Sequence, residues 1–275
     1  MSSPTILVAT DFSPRSVEIV QKTIPLAKKL GGILHIVHVI EEGIFSSLQK
    51  DSNIQTGAKN TLKELFPSFN AEQLHCKRGK IGSSIATLAI ELNVKLVVLG
   101  NSGEHGGLKN LFVGSSTKAI VRKLTVPALV VKTAGELNVD KLLIPTDLSE
   151  SSKWHIHAMR SLFPKATISL LYTYIVPFSN RLSMYGVKKG EINTLGENLR
   201  IHAQNEVALF MQTLKNEAEN IDVVIRESGL DAGVFTGVAS MHGIQTIAIH
   251  TTGNISLFAF DLLLETDKDV LISIV

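Results

Sequence analysis

The chain is poor in the residues that usually hold small or specialised folds together. It has one cysteine, Cys76, among 275 residues. An intramolecular disulfide is therefore excluded, and a reducing compartment is expected. Aromatic residues make up only 5%, so the core has to be built from Ile, Leu and Val. A charge surplus is missing too: 27 Lys and Arg stand against 25 Asp and Glu, a net of +2. That is too little to argue for nucleic acid or an anionic membrane as a partner. No apolar run reaches the roughly 20 residues that a membrane helix needs. The opening "MSSPTILVATDF" has no basic start and a short apolar run, Ile6 to Ala9, so no signal peptide is expected and the cytoplasm is the expected location. With 44% hydrophobic and 19% charged residues, the chain has the makings of a compact fold and not of a disordered one.

What is present is an internal repeat. "TILVATDFSPRS" (Thr5 to Ser16) recurs as "KLLIPTDLSESS" (Lys141 to Ser152), pairing Asp11 with Asp147 and Ser13 with Ser149. The apolar runs barely alternate, which marks strands buried on both faces, as in a parallel sheet. Each half then repeats the order strand, helix, strand, variable region with helix, strand, helix, strand. Strands alternating with helices make right-handed βαβ units. The expected fold class is α/β, with two tandem doubly wound open parallel sheets. The expected domains are residues 1–135 and 136–275, joined at "KTAGELNVD" (Lys132 to Asp140). Pro25 is expected to kink the first helix or start a new turn.

The stretch "VVLGNSGEHGGLKNLFVGSSTKAIVRKLTVPALVV" (Val97 to Val131) carries the chemistry. Gly100, Gly103, Gly106 and Gly107 fall within eight positions, and Gly114 precedes Ser115 and Ser116. Open parallel sheets bind ligands beyond the carboxyl ends of their strands. Asp11, Val39 and this loop all lie at that edge. "GSST" reads as a serine-capped helix start running to Leu124, whose free amides attract anions. Glycines let backbone approach phosphate, and Asp11 can accept from ribose hydroxyls or a base amine. A glycine-rich loop is equally a flexible turn. It matches neither the P-loop pattern nor the Rossmann fingerprint.

On "ILVATDFSPRS", "HIVHV" and "VVLGNSG…GLKNLFVGSSTKAIVRKLTVPALVV" the chain resembles the universal stress proteins as a tandem pair. The family's nucleotide-binding branch has Gly-x-x-Gly, nine residues, then Gly-Ser/Thr; here ten residues separate Gly103 from Gly114. The resemblance implies five-stranded sheets of the adenine-nucleotide alpha hydrolase-like kind. It also implies binding of ATP or AMP, with or without magnesium. By position, Asp11 and the backbone of Val39 meet the adenosine, and Gly100, Gly103, Gly114, Ser115 and Ser116 surround ribose and phosphates. Lys109 is a further phosphate candidate. The final strand of each half, Ala128 to Lys132 and "LISIV", is where family members pair. The two halves are expected to pair that way inside the chain, with a homodimer as a further option.

The second half keeps Asp147 but has Thr173 for Val39, His250 for Gly100 and Gly253 for Gly103. No Gly-Ser follows. "LETD", with Glu265 and Asp267, reads as the counterpart of "VGSS", and its carboxylates would repel phosphate. A structural role is expected for this half. His155 and His157 are two apart on a helix and do not share a face, and His35 and His38 are read as strand histidines bonded to neighbours. No metal site, nucleophile elbow or catalytic residue is expected. The expected function is a stress-response protein binding an adenine nucleotide in its first domain, not an enzyme, with slow ATP hydrolysis left open. The alternative is a nucleotide-free scaffold working through protein contacts.

Overall fold

The structure, a computed structural model, describes residues 3–41, 51–101, 114–214, 219–251 and 257–274. The chain forms two compact units. The first comprises Met1–Asn138 with Thr251–Ile274, the second Val139–His250.

The first unit begins with β1 (Thr5–Ala9), α1 (Pro14–Lys29) and β2 (Ile33–Ile40), followed by α2 (Asp51–Leu65), β3 (Leu74–Arg78) and α3 (Ile81–Glu91). Strand β4 (Val94–Gly100), the short helix α4 (Ser115–Val121) and β5 (Ala128–Val131) complete the repeat. The strands lie in the order β3-β2-β1-β4-β5, all parallel. Ile6, Leu7, Val8 and Leu96 to Leu99 are buried throughout, which is why these runs do not alternate. Helix α1 buries Ile19, Val20, Thr23, Leu26 and Ala27, a stripe at helical spacing. It runs on through Pro25 without a break. The exposed position tolerates the ring, and the Thr23 hydroxyl donates to the Ile19 carbonyl at 2.7 Å in the same turn region.

The second unit repeats the order. It has β6 (Lys141–Thr146), α5 (Glu150–Leu162), β7 (Thr167–Tyr174) and the single turn α6 (Ser179–Leu182). The 26-residue α7 (Lys189–Leu214), β8 (Ile221–Glu227), α8 (Ala232–Met241) and β9 (Thr246–Thr251) follow. Its strands lie in the order β8-β7-β6-β9, again parallel. Leu142, Leu143, Ile144, Ile168, Leu170, Phe235 and Ile247 form its core.

The last two elements, α9 (Leu257–Glu265) and β10 (Asp269–Ile274), belong to the first unit. Strand β10 pairs antiparallel with β5, Val270 beside Val130 and Ile272 beside Ala128. The compact units thus divide the chain differently from the repeat, whose second copy runs to the C-terminus. Asp269 fastens the junction. It is buried, and its carboxylate accepts from the Lys132 and Thr133 amides at 2.7 and 2.9 Å and from the Thr133 hydroxyl at 2.9 Å. The buried Lys132 ammonium donates to the Leu263 carbonyl at 2.7 Å and to that of Thr266, groups left open at the end of α9.

Candidate functional site

The sequence Thr-Asp-Φ-Ser builds the same turn in both units. Beyond β1, the Phe12 amide donates to the Thr10 hydroxyl at 3.1 Å. The Ser13 amide and hydroxyl donate to one oxygen of Asp11 at 3.0 and 2.6 Å. Short side chains bonding their own backbone let the chain turn, and Phe12 takes a left-handed conformation, φ 67°. Ser13 then caps α1, accepting from the Ser16 amide at 3.3 Å, with Pro14 in the first turn. Beyond β6 the pattern recurs. Leu148 has φ 61°, its amide donates to Thr146 at 3.0 Å, and Ser149 and Ser152 donate to Asp147 at 3.0 and 2.7 Å.

The carboxylate of Asp11 is therefore exposed but fixed. Burial of its surroundings pushes its pKa up, yet the hydrogen bonds from Ser13 and Ser16 outweigh that, and it sits below the usual carboxylate range. Strands β2 and β4 flank β1, and all three end at this edge. Val39 is buried near the end of β2, leaving its backbone as what it offers. Gly100 ends β4, and its carbonyl accepts from the Thr117 hydroxyl at 2.7 Å. The Gly114 amide donates to the Asn101 carbonyl at 2.6 Å. These bonds tie the start of α4 to the end of β4. Asp11, Val39, Gly100, Gly114, Ser115 and Ser116 thus belong to one edge of one sheet. Gly103, Gly106, Gly107 and Lys109 lie outside the described residues.

The start of α4 differs from its reading in the sequence. Gly114, not a serine, is the N-cap, with φ −60° and ψ 153° and no side-chain bond, and the helix ends at Val121. Ser115 and Ser116 occupy its first turn. A glycine at the cap leaves the first-turn amides without the hydroxyl that a serine cap would have spent on them. α3 holds α4 from beneath: a Cβ on Gly82 would meet the Ala119 carbonyl at 2.5 Å, so the close approach requires glycine there.

His38 is a site residue that the sequence reading treated only as a strand histidine. Its ring stacks on Phe12, centroids 3.9 Å apart, and its Nδ1–H donates to the Thr10 carbonyl at 2.9 Å. Burial lowers its pKa against the Thr10 carbonyl and Asp11, which raise it, and the ring stays neutral at pH 7. Only the repeat hinted at this: the register that sets Thr146 beside Tyr172 makes Tyr172 the counterpart of His38.

The second unit's edge is built differently. His250 takes the place of Gly100 and has its ring 5.2 Å from that of buried His155; burial raises the Asp147 pKa, but the bonds from Ser149 and Ser152, and last the nearby His250, bring it below the usual carboxylate range. The Tyr172 hydroxyl donates to Glu206 at 3.0 Å. The reading of "LETD" as a helix start is corrected here. The apolar run before it forms α9, so Glu265 ends a helix and Asp267 follows it. Asp267 lies close enough to Lys132 to raise the lysine's pKa, although burial dominates and the net shift is downward. Gly253 lies outside the described residues. Among the described residues no helix is long and apolar enough to cross a membrane, and no group of three His, Cys, Asp or Glu is placed to hold a metal ion.

The α/β order and the parallel strands define a class of fold shared by solved structures across the whole chain. One is a universal stress protein from Archaeoglobus fulgidus (TM-score 0.65, 15% identity, 98% of this chain and 95% of that one). Another comes from Pseudomonas aeruginosa (TM-score 0.61, 14% identity, 99% and 94%). In sequence, the model of the universal stress protein family matches residues 3–132. Universal stress protein A homolog 1 of Coxiella burnetii is 34% identical over 137 residues, 46% of this chain and 94% of that protein. A Staphylococcus haemolyticus relative is 30% identical over 139 residues, 46% and 84%. The chain belongs to the universal stress protein family.

Proposed function

We propose that the first unit binds an adenine nucleotide, ATP or AMP, and that the second unit does not bind one in the same way. The observation that carries the reading is the shared edge of β2, β1 and β4. A fixed, ionised Asp11 stands at one end, and a glycine-capped helix start, Gly114 to Ser116, is tied to Gly100 and Asn101 at the other. Asp11 accepts from the ribose hydroxyls or base amine, and the backbone of Val39 borders the adenosine. The first-turn amides and hydroxyls of Ser115 and Ser116 take the phosphates. Gly100 and Gly103 leave room for backbone to approach them, and any magnesium arrives with the phosphates. In the second unit the His250 imidazole stands beside Asp147 where the first unit has only Gly100, and this supports a structural role for that half. The function proposed for the whole chain is a stress-response binding protein, not an enzyme.

Calorimetric titration of the full chain with ATP and AMP tests this. Saturable binding at one site per chain is expected, and Gly114→Glu abolishes it by placing a side chain and a negative charge among the phosphates. No binding at millimolar nucleotide would favour a nucleotide-free scaffold. Retained binding in the variant would place the site elsewhere.

A further inference from the structure

The outer edge of the second unit's sheet has no part in the nucleotide site. Strand β8 is the last of its sheet. On one side it pairs parallel with β7, from Ile221 beside Ile168 to Glu227 beside Tyr174. The Ile168 amide donates to the Asn220 carbonyl at 3.0 Å, and the Ser228 amide to the Tyr174 carbonyl at 2.9 Å. Backbone groups turn to alternate sides along a strand, so Asp222, Val224 and Arg226 also turn theirs toward β7. The amides and carbonyls of Ile221, Val223, Ile225 and Glu227 therefore point away from the sheet. Asp222, Val223, Arg226 and Glu227 are exposed, so solvent reaches this edge. The edge strand of the first unit is guarded. The Gln55 side chain of α2 donates to the Cys76 carbonyl on β3 at 3.5 Å. A second β3 laid antiparallel about Cys76 would set Lys77 against His75, with no acid opposite, and edge lysines discourage pairing. β8, with the sequence IDVVIRE, has no lysine.

The charges of β8 are ordered to suit a second copy of the same strand. We propose that β8 pairs antiparallel with β8 of another chain about a two-fold axis at Val224. In that register Asp222 faces Arg226 of the partner subunit, and Arg226 faces the partner's Asp222. An isologous joint makes both pairs at once, and opposite charges directly across strands are stabilising. Val223 and Ile225 exchange amide and carbonyl bonds across the axis, and so do Ile221 and Glu227. Asp222 and Arg226 fall in the pairs that exchange none, where Cα atoms approach to about 4.5 Å. Moving the axis to Val223 or Ile225 sets one of the two charges against Val224 instead, so the charges select the register. Pairing occupies the open edge of both copies, and assembly stops at two. An antiparallel strand on a parallel sheet has a precedent within this chain, in β10 beside β5. One strand pair is small beside the roughly 1,600 Å² of a stable interface. The dimer is therefore reversible, with monomers at low micromolar and dimers at hundreds of micromolar concentration.

Sedimentation equilibrium of the full chain tests this. A monomer–dimer equilibrium is expected. Arg226→Asp sets like charges opposite each other twice over and should weaken the dimer about tenfold. The exchange of both charges, Asp222→Arg with Arg226→Asp, should restore it. A chain still monomeric at about 500 μM, where even a small interface is populated, would overturn the proposal. So would a dimer that Arg226→Asp leaves unchanged, or one that the exchange fails to rescue. Cross-linking checks the register independently of these variants. The one native cysteine, Cys76, is buried. Val224→Cys places a thiol opposite its own copy, within the Cα range of about 4.4–6.8 Å that a disulfide spans. Mild oxidation should give a covalent dimer with Val224→Cys and far less with Val223→Cys, which faces Ile225 of the partner subunit. Equal yields at the two positions reject the axis at Val224.

Discussion

At the scale of single residues, the two copies of one turn serve as a comparison. Phe12 and Leu148 both sit at positive φ, near 60–70°, a conformation that bulky residues seldom adopt. Each is held by a hydroxyl on one side and a carboxylate on the other. Thr-Asp-Φ-Ser is thus a local instruction, legible from the repeat alone. Its neighbours are not local: His38 and Tyr172 reach the turns only because β1 pairs β2 and β6 pairs β7. His155 shows the same at higher stakes. Burial first, and His250 next, depress its pKa to about 3 against the Ala248 carbonyl, which raises it. A folded pKa below the unfolded value means that the unfolded chain takes up the proton first. The stability tied to neutral His155 is complete above about pH 6.5 and is lost as pH falls from there to about 3, by up to about 1.4 kcal/mol per pH unit. Urea midpoints measured at pH 7, 5.5 and 4 should fall accordingly. His155→Gln should be less stable at pH 7 and show a shallower decline with acid; an equal decline would locate the acid sensitivity in other groups.

At the scale of elements, α4 is the piece on which the proposed phosphate end depends. It is only seven residues long, too short to be stable by itself. Its place is set by α3, whose Gly82 lets the Ala119 carbonyl approach, and by the bonds to Gly100 and Asn101. Gly82→Ala puts a methyl group 2.5 Å from that carbonyl. It should cost about 1–3 kcal/mol, the range for overpacking, measured by urea unfolding. It should also weaken nucleotide binding, because α4 has to shift. A fully stable variant would show that the two helices separate without strain. Nothing local in the sequence links Gly82 to α4; only packing reveals that the approach of α4 requires the glycine of α3.

At the scale of the whole molecule, the C-terminal stretch Thr251–Ile274 belongs to the first unit. Asp269 carries much of that attachment. Asp269→Ala strips a buried carboxylate from two amides and a hydroxyl. Donors left buried and unpaired set an expected cost of about 1–3 kcal/mol, seen as an earlier unfolding transition that nucleotide, if bound, shifts back upward. A chain ending at His250 would leave the edge of β5 unpaired, an invitation to strand pairing between molecules. Light scattering after size exclusion should find it self-associated at concentrations where the full chain is not.

The sequence by itself determined the repeat, the order of elements and the buried parallel strands, because these follow from apolar runs and short-range hydrogen bonds within a dozen residues. It also determined the Asp11 and Asp147 turns, whose partners lie two to five residues away. Tertiary structure decided the rest. Gly114 caps α4 in place of a serine, with its amide held by the Asn101 carbonyl at the end of β4. "LETD" ends a helix, because the apolar residues before it needed a core to bury in. His35 meets His75 across 40 residues, and Asp269 meets Thr133 across 136. Such pairings depend on which strand lies beside which, and that is settled by packing the whole sheet.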